Sequence, residues 1–125
     1  MYRPVGPREL ELIAASGNAG FPPRLTEQPI FYPVLTEEYA RKIARDWNAT
    51  SARTGFRGYV TRFCVDAAYA ARFPVQTVGA SWHRELWVPA EELAEFNDHI
   101  LGRIEVVATY QGGEGREPVE VEPPR

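Results

Sequence analysis

The chain has 125 residues, a length that suits one domain and is too short for two. Of these residues 44% are hydrophobic and 25% are charged, which is an ordinary composition for a globular protein. Its net charge is -3, and no apolar run approaches the roughly 20 residues of a membrane span. The composition therefore lacks both a membrane anchor and the basic surface that is typical of nucleic-acid binders. We expect a cytoplasmic protein, and the predominance of arginine over lysine favours a high-GC bacterial origin.

Short elements, separated by glycine and proline, are predicted along the first half of the chain. In order they are a strand at 2–5, a helix that begins at Pro7 and is closed by Gly17, a proline-rich loop at 18–29 and an edge strand at 30–34. Thr36 is predicted to cap a helix over 37–47, in which acids come first and bases last, as the helix dipole favours. Tyr39, Ile43 and Trp47 recur at helical spacing and are predicted to be core residues.

Further strands and short helices are predicted in the second half. In order they are a strand at 58–65, a short helix capped by Asp66, strands at 75–78 and 85–88, a helix opened by Pro89, and a last strand at 104–110 after a turn at Gly102. Cys64 is the only cysteine and is predicted to be a small buried strand residue. Residues 111–125 contain glycines and alternating glutamates, and are predicted to form a disordered acidic tail.

These elements predict one α+β domain over residues 1–110. We expect a small, bent, mainly antiparallel sheet of about five or six short strands with three or four short helices. The pattern contains no internal repeat and no second domain.

The segment with the most chemistry runs from Ser81 to Pro89. On a strand, His83, Glu85 and Trp87 would point to one face, because side chains alternate. Glu85 and His83 are therefore candidate site residues, although Glu85 is equally typical of a carboxylate paired with an arginine. The usual phosphate-loop, dinucleotide and zinc-protease motifs are absent, and two histidines with one cysteine predict no metal site.

Two arginines and one tyrosine are candidate ligand contacts. Arg3 lies on the first strand, either as an anion-binding residue or as a solvated edge residue. Arg24 follows two prolines, and a guanidinium held by a rigid loop is suited to bidentate binding of phosphate. Tyr32 is a candidate for stacking on a ligand ring, or it fills the core.

Several segments carry a resemblance to known proteins. They are YRPVG at residues 2–6, FPPRL at 21–25, QPIFYPVL at 28–35 and ELWVPAEEL at 85–93. These segments resemble a family of short bacterial proteins that carries the label ADP-ribosylation/crystallin. Taken literally, that label points to ADP-ribosylglycohydrolases, which are large all-helical enzymes that hold magnesium with several aspartates. The three aspartates and many predicted strands of this chain do not fit them.

The chain resembles the ADP-ribosyltransferase-like fold more loosely. Those enzymes place Arg or His on the first strand, an aromatic or Ser-Thr-Ser element on a middle strand, and Glu at the start of a late strand. Arg3, Tyr32 and Glu85 follow that order, with His83 where the family has Gln or Glu. The resemblance implies NAD as donor substrate, with Glu85 stabilising the cation that forms as nicotinamide leaves and Arg3 holding the dinucleotide.

Two hypotheses follow. The first is an NAD-consuming transferase or related nucleotide-processing enzyme, in which Arg3 and Arg24 hold phosphate, Tyr32 stacks on a ring, and Glu85 and His83 are catalytic. The second is a non-catalytic small-molecule-binding or regulatory module with the same fold. In either case we expect Glu85 and Arg3 on neighbouring strands of one sheet face, lining a pocket with His83 and Tyr32 near its mouth.

Overall fold

A computed structural model describes residues 1–122, and the predicted α+β class is confirmed. Four α-helices lie within these residues: α1 (Pro7–Ala15), α2 (Glu37–Ile43), α3 (Ala67–Ala70) and α4 (Leu93–Asp98). The eight strands are β1 (Tyr2–Val5), β2 (Ile30–Phe31), β3 (Arg57–Val65), β4 (Val75–Thr77), β5 (Arg84–Leu86), β6 (Val88–Pro89), β7 (Ile100–Gly113) and β8 (Arg116–Val121). Shorter helical turns occupy Ala44–Asn48, Ala52–Thr54 and Ala90–Glu92. Among the described residues, no helix combines the length and the apolar character that a membrane span requires.

The main sheet has four antiparallel strands in the order β1-β3-β7-β8. Val34 extends it beyond β1, because this residue bridges Tyr2 on one side and Glu85 on the other. Strand β5 then pairs with β4. The predicted single strand at 85–88 is split, since β6 leaves this sheet to pair with β2. Trp87 is the residue between β5 and β6, at the point where the chain passes from one sheet to the other.

Both faces of the sheet are covered, and strand alternation decides which side chain joins which core. Val5 and Tyr59 belong to the larger core, which also contains Ile13 of α1 and a group of phenylalanines. Val60 and Ala40 belong to the smaller core beneath α2. Residues with the parity of Val5 therefore face α1, and their immediate neighbours face α2.

Gly102 lies inside β7 and does not form the predicted turn. Strand β7 begins at Ile100 and passes through Gly102, whose φ of +76° glycine adopts without a side-chain clash. The register against β3 shifts in this region, so that Arg62 pairs with Glu105 whereas Cys64 pairs with Leu101. The glycine thus forms a bulge within a longer strand.

The helix predicted after Thr36 forms, but its second half differs from the prediction. The Thr36 side chain accepts a hydrogen bond from the Tyr39 backbone, and Tyr39 is buried as predicted. The chain then widens into a π-helical turn over Ala44–Asn48. Trp47 is 73% exposed, so its prediction as a core residue is wrong.

Close packing of α2 on the sheet explains the exposure of Trp47. The buried contacts are made by alanines, Ala40 and Ala44, and not by a continuous aromatic stripe. A Cβ at Gly58 would collide with the carbonyl oxygen of Ala44, so only glycine allows this approach. The wider π-helical turn then directs Trp47 away from the sheet.

Two further predictions are corrected at the sheet's periphery. Cys64 is exposed, because it lies at the far end of the α2 face and pairs with Leu101, which is itself exposed. Residues 111–121 are not a disordered tail, since β7 continues to Gly113 and β8 pairs with it. Gly115, with φ of +70°, allows the two-residue hairpin loop between Gly113 and Arg116. Residues 123–125 of the predicted tail lie outside the described residues.

Candidate functional site

A cleft of about 750 Å³ opens beside the edge where Val34 joins β1 to β5. Four of the residues singled out in the sequence line this cleft: Arg3, Tyr32, His83 and Glu85. Strand alternation was the reason to group His83, Glu85 and Trp87, and all three do line it. The structure therefore brings together side chains that lie more than 50 positions apart in the chain.

Glu85 is the buried acid of this cleft, with only 8% of its surface exposed. The Tyr39 hydroxyl donates to Oε2 over 3.0 Å, and the Trp87 indole N–H donates to Oε1 over 2.8 Å. Neither donor carries a charge, and Glu85 forms no ion pair within residues 1–122. The alternative in which Glu85 is paired with an arginine is therefore wrong.

Tyr39 fixes one side of this carboxylate. Burial, together with its hydrogen bond to Glu85, raises the pKa of Tyr39 from 10.0 to about 12. The hydroxyl consequently stays protonated at neutral pH and remains a donor to Glu85. Sequence patterns gave no reason to join these residues, because they lie 46 positions apart on different elements.

His83 packs against Tyr39, with ring centroids 4.5 Å apart and planes inclined by 9°. Its Nδ1 lies 3.1 Å from the carbonyl oxygen of Val78, which can only accept, so Nδ1 carries the proton when the ring is neutral. The Nε2 atom is covered and has no hydrogen-bond partner among the described residues. In this arrangement His83 is a wall that supports Tyr39, and not an exposed acid or base.

Arg3 is held within the protein. Its guanidinium makes a bidentate ion pair with Glu9, at 2.6 and 3.0 Å, and lies 4.7 Å from the centre of the Phe31 ring. It also donates to the carbonyl oxygen of Tyr32 over 3.3 Å. These contacts neutralise the positive charge of Arg3 at the wall of the cleft.

The expectation that Arg3 and Glu85 share one face of neighbouring strands is wrong. Val34 lies between their strands and forms a bridge with Tyr2 on one side and with Glu85 on the other. Tyr2, and not Arg3, is therefore in register with Glu85. Because side chains alternate, Arg3 projects toward the Phe31 side and Glu85 toward Tyr39. The two residues therefore meet the cleft from opposite sides of the sheet.

Arg24 does not line the cleft. Its Nε donates to the carbonyl oxygen of Ile30 over 3.2 Å, which braces the proline-rich loop. Burial, and after it the positive charge of Arg3, lowers the pKa of Arg24 from its usual value. Arg24 therefore lies outside the lining of the cleft, although it is close enough to Arg3 for the two charges to interact.

Aromatic residues form much of the wall. Tyr32 and Trp87 are 38% and 41% exposed, and their rings stand nearly perpendicular, with centroids 6.2 Å apart and planes at 87°. Trp47 is a further lining aromatic, and the sequence prediction missed it because its helical spacing indicates a core position. Lys42 and Asn48, on the same helical segment, also line the cleft and were not singled out.

The charges around the cleft are unevenly compensated. Lys42 is half exposed and contacts Asp46 over 3.1 Å, and Arg3 is paired with Glu9, whereas Glu85 has only neutral partners. Within residues 1–122, no three His, Cys, Asp or Glu side chains are grouped so that they could hold a metal ion. The arrangement is suited to a small molecule with a positively charged part and flat or apolar flanks.

A comparison of the chain with models of protein families, with curated proteins and with solved structures finds no match. The geometry and chemistry of the lining side chains are therefore the basis for assigning a function.

Proposed function

We propose that this protein binds NAD or a related nucleotide in the cleft and consumes it as an ADP-ribosyltransferase-like enzyme. The observation that carries the proposal is the buried carboxylate of Glu85, which has two neutral donors and no countercharge. Arg3, Tyr32 and His83, the other residues of the resemblance, line the same cleft.

The chemistry of NAD consumption accounts for such a carboxylate. The bond between ribose C1′ and the nicotinamide nitrogen breaks, the nitrogen keeps the electron pair, and an acceptor nucleophile bonds to C1′ and loses its proton to solvent water. Positive charge develops on the ribose during this step. Glu85, fixed by Tyr39 and Trp87, would face that charge without reorganising, which is the arrangement that stabilises a transition state most effectively.

The dimensions and the wall of the cleft also support a nucleotide ligand. Its volume of about 750 Å³ lies within the range of ordinary small-molecule sites. The exposed rings of Tyr32 and Trp87 offer stacking surfaces for a base or a pyridine ring. Lys42 at the cleft would take the phosphate-binding role predicted for Arg24, since its side chain is half exposed and lines the cleft.

A second candidate function is a non-catalytic small-molecule-binding or regulatory module with the same fold. It is favoured by the internal engagement of the proposed catalytic groups. Both oxygens of Glu85 and the guanidinium of Arg3 already have partners within the protein. The Nε2 atom of His83 is covered, so it does not offer a base to an acceptor nucleophile.

A thermal-shift series with NAD⁺, ADP-ribose and nicotinamide, followed by chromatographic detection of released nicotinamide, tests both candidates. At about 100 times its dissociation constant, a ligand adds about 2.7 kcal/mol to the free energy of unfolding. The enzyme proposal predicts a shift with NAD⁺ and release of nicotinamide. A shift without release supports the binding module, and the absence of a shift with NAD⁺ and ADP-ribose contradicts the NAD proposal.

A further inference from the structure

The Glu85 carboxylate places a negative charge in the cleft. An ionised carboxylate that is removed from water is stabilised by a countercharge, yet Tyr39 and Trp87 supply only neutral hydrogen bonds. Each oxygen accepts one hydrogen bond, and no described residue supplies a positive charge to the carboxylate. A positively charged ligand group beside Glu85 supplies the countercharge that the described residues do not provide.

The other charged side chains at the cleft do not cancel the negative charge of Glu85. Arg3 is neutralised by its bidentate pair with Glu9. Lys42 shares Asp46 with Arg45, and its side chain is 42% exposed, so its charge is screened by water. The Nδ1–H of neutral His83 donates to the Val78 carbonyl oxygen, and its Nε2 atom is covered.

The walls are aromatic and accessible. Tyr32 and Trp87 meet at 87° and form two sides of a corner, and Trp47 is the most exposed large apolar residue of the described chain. Faces of tyrosine and tryptophan attract cations that carry little bound water, because the ring quadrupole is negative above the plane. A strongly hydrated metal ion instead requires several oxygen ligands, whereas this cleft offers a single carboxylate.

We propose that the cleft is a binding site for small organic cations, such as quaternary ammonium or pyridinium groups, held between Glu85 and the rings of Tyr32, Trp87 and Trp47. This inference names the ligand class of the cleft on which the proposed function rests, and it does not require that NAD is consumed.

Matched probes separate charge from shape. Choline and 3,3-dimethylbutan-1-ol differ in that a carbon atom replaces the charged nitrogen, and 1-methylnicotinamide and nicotinamide form a similar pair. We expect isothermal titration calorimetry to show that each cation binds about tenfold or more tightly than its neutral counterpart. Equal affinities within the pairs, or no binding of either cation, would overturn the inference.

Variants of the full chain assign the preference to particular side chains. Glu85→Gln should weaken choline binding by about tenfold or more and leave the affinity for 3,3-dimethylbutan-1-ol unchanged. Glu91→Gln is the matched control, because Glu91 is exposed and does not line the cleft. Tyr32→Leu keeps an apolar side chain at an exposed position and should weaken choline binding by about threefold or more. Choline binding that is unchanged in both Glu85→Gln and Tyr32→Leu would overturn the assignment.

The two proposals fail in different ways. If choline and 1-methylnicotinamide bind but NAD⁺ is neither bound nor consumed, the cation site stands and the NAD proposal is wrong. If NAD⁺ is consumed while the cationic and neutral probes bind equally, the enzyme proposal stands and the cation site is wrong.

Discussion

Glu85 is the buried carboxylate of the cleft, and its hydrogen-bond partners are both neutral. Removing a carboxylate from water costs several kcal/mol unless a cation or several donors compensate it. Tyr39 and Trp87 supply two neutral donors, and no cation among the described residues pairs with Glu85. A structural role needs only an acceptor for these two donors, which an amide also supplies, whereas binding of a cation requires the charge.

Alkaline pH tests the Tyr39–Glu85 contact. An unfolded tyrosine titrates near its usual pKa of 10.0, whereas the pKa of buried, hydrogen-bonded Tyr39 is raised to about 12. Between these values the unfolded state binds fewer protons than the folded state, so the free energy of unfolding falls as the pH rises. We expect a loss on the order of 2 kcal/mol between pH 10 and 12, measured by urea unfolding.

The variant Tyr39→Phe should lack this component of the pH dependence. Its unfolding curve should start from a lower stability at neutral pH and fall less steeply above pH 10. Parallel alkaline profiles for the wild-type protein and Tyr39→Phe would contradict the contact.

At the residue scale, the part of the site that could be predicted is the part that lies on one strand. Period-two alternation placed His83, Glu85 and Trp87 together, and the structure agrees. Tyr39 could not be found in this way, because its contact with Glu85 depends on how α2 packs over the sheet edge. Arg3 was assigned to the wrong face because the bridging role of Val34 has no signal in the sequence.

The helical segment that begins at Glu37 decides which side chains reach the cleft. Its small residues Ala40 and Ala44 make the buried contact, because Gly58 lets the helix approach the backbone of β3. The π-helical turn over Ala44–Asn48 then brings Trp47 out to the cleft. Helical spacing alone could not predict the exposure of Trp47. It assumes a regular helix of 3.6 residues per turn, in which Trp47 would follow Tyr39 and Ile43 on the buried face.

Trp47→Ala tests the position of this turn. Because Trp47 is 73% exposed, we expect the free energy of unfolding to change by less than about 1 kcal/mol. Choline affinity should fall, since one aromatic wall is lost. Phe31→Ala is the comparison, because Phe31 is 1% exposed and its loss should cost roughly 3–5 kcal/mol. A comparable loss of stability in Trp47→Ala would show that Trp47 is buried after all.

At the scale of the whole molecule, the fold class followed from the sequence but the end of the domain did not. The alternation of apolar and polar residues and the short spacing of turns predicted an antiparallel α+β domain. The segment after Tyr110 was interpreted from its charge, although Gly115 and the alternating valines are typical of a hairpin. Pro118 lacks an N–H and is suited to the sheet edge that β8 forms.

Truncation after Gly113 tests this boundary. The deletion removes β8, uncovers the edge of β7 beside Tyr110, and removes Glu120, which contacts Arg41 over 2.8 Å. We expect the Tm to fall by roughly 5 °C or more, because buried Tyr110 and Thr109 lose their strand partner. An unchanged Tm in differential scanning calorimetry would show that residues 114–125 contribute nothing to the fold.

The most direct test of the account is the paired measurement of folding and NAD⁺ binding in Glu85→Gln. Glutamine keeps the shape of the side chain, and its amide can accept from Trp87 while it donates to the rotated hydroxyl of Tyr39. The account predicts a free energy of unfolding within about 1 kcal/mol of the wild-type value, and NAD⁺ affinity reduced by about tenfold or more. A variant that unfolds more easily and binds NAD⁺ as the wild-type protein does would contradict the account, since Glu85 would then serve the fold and not a ligand.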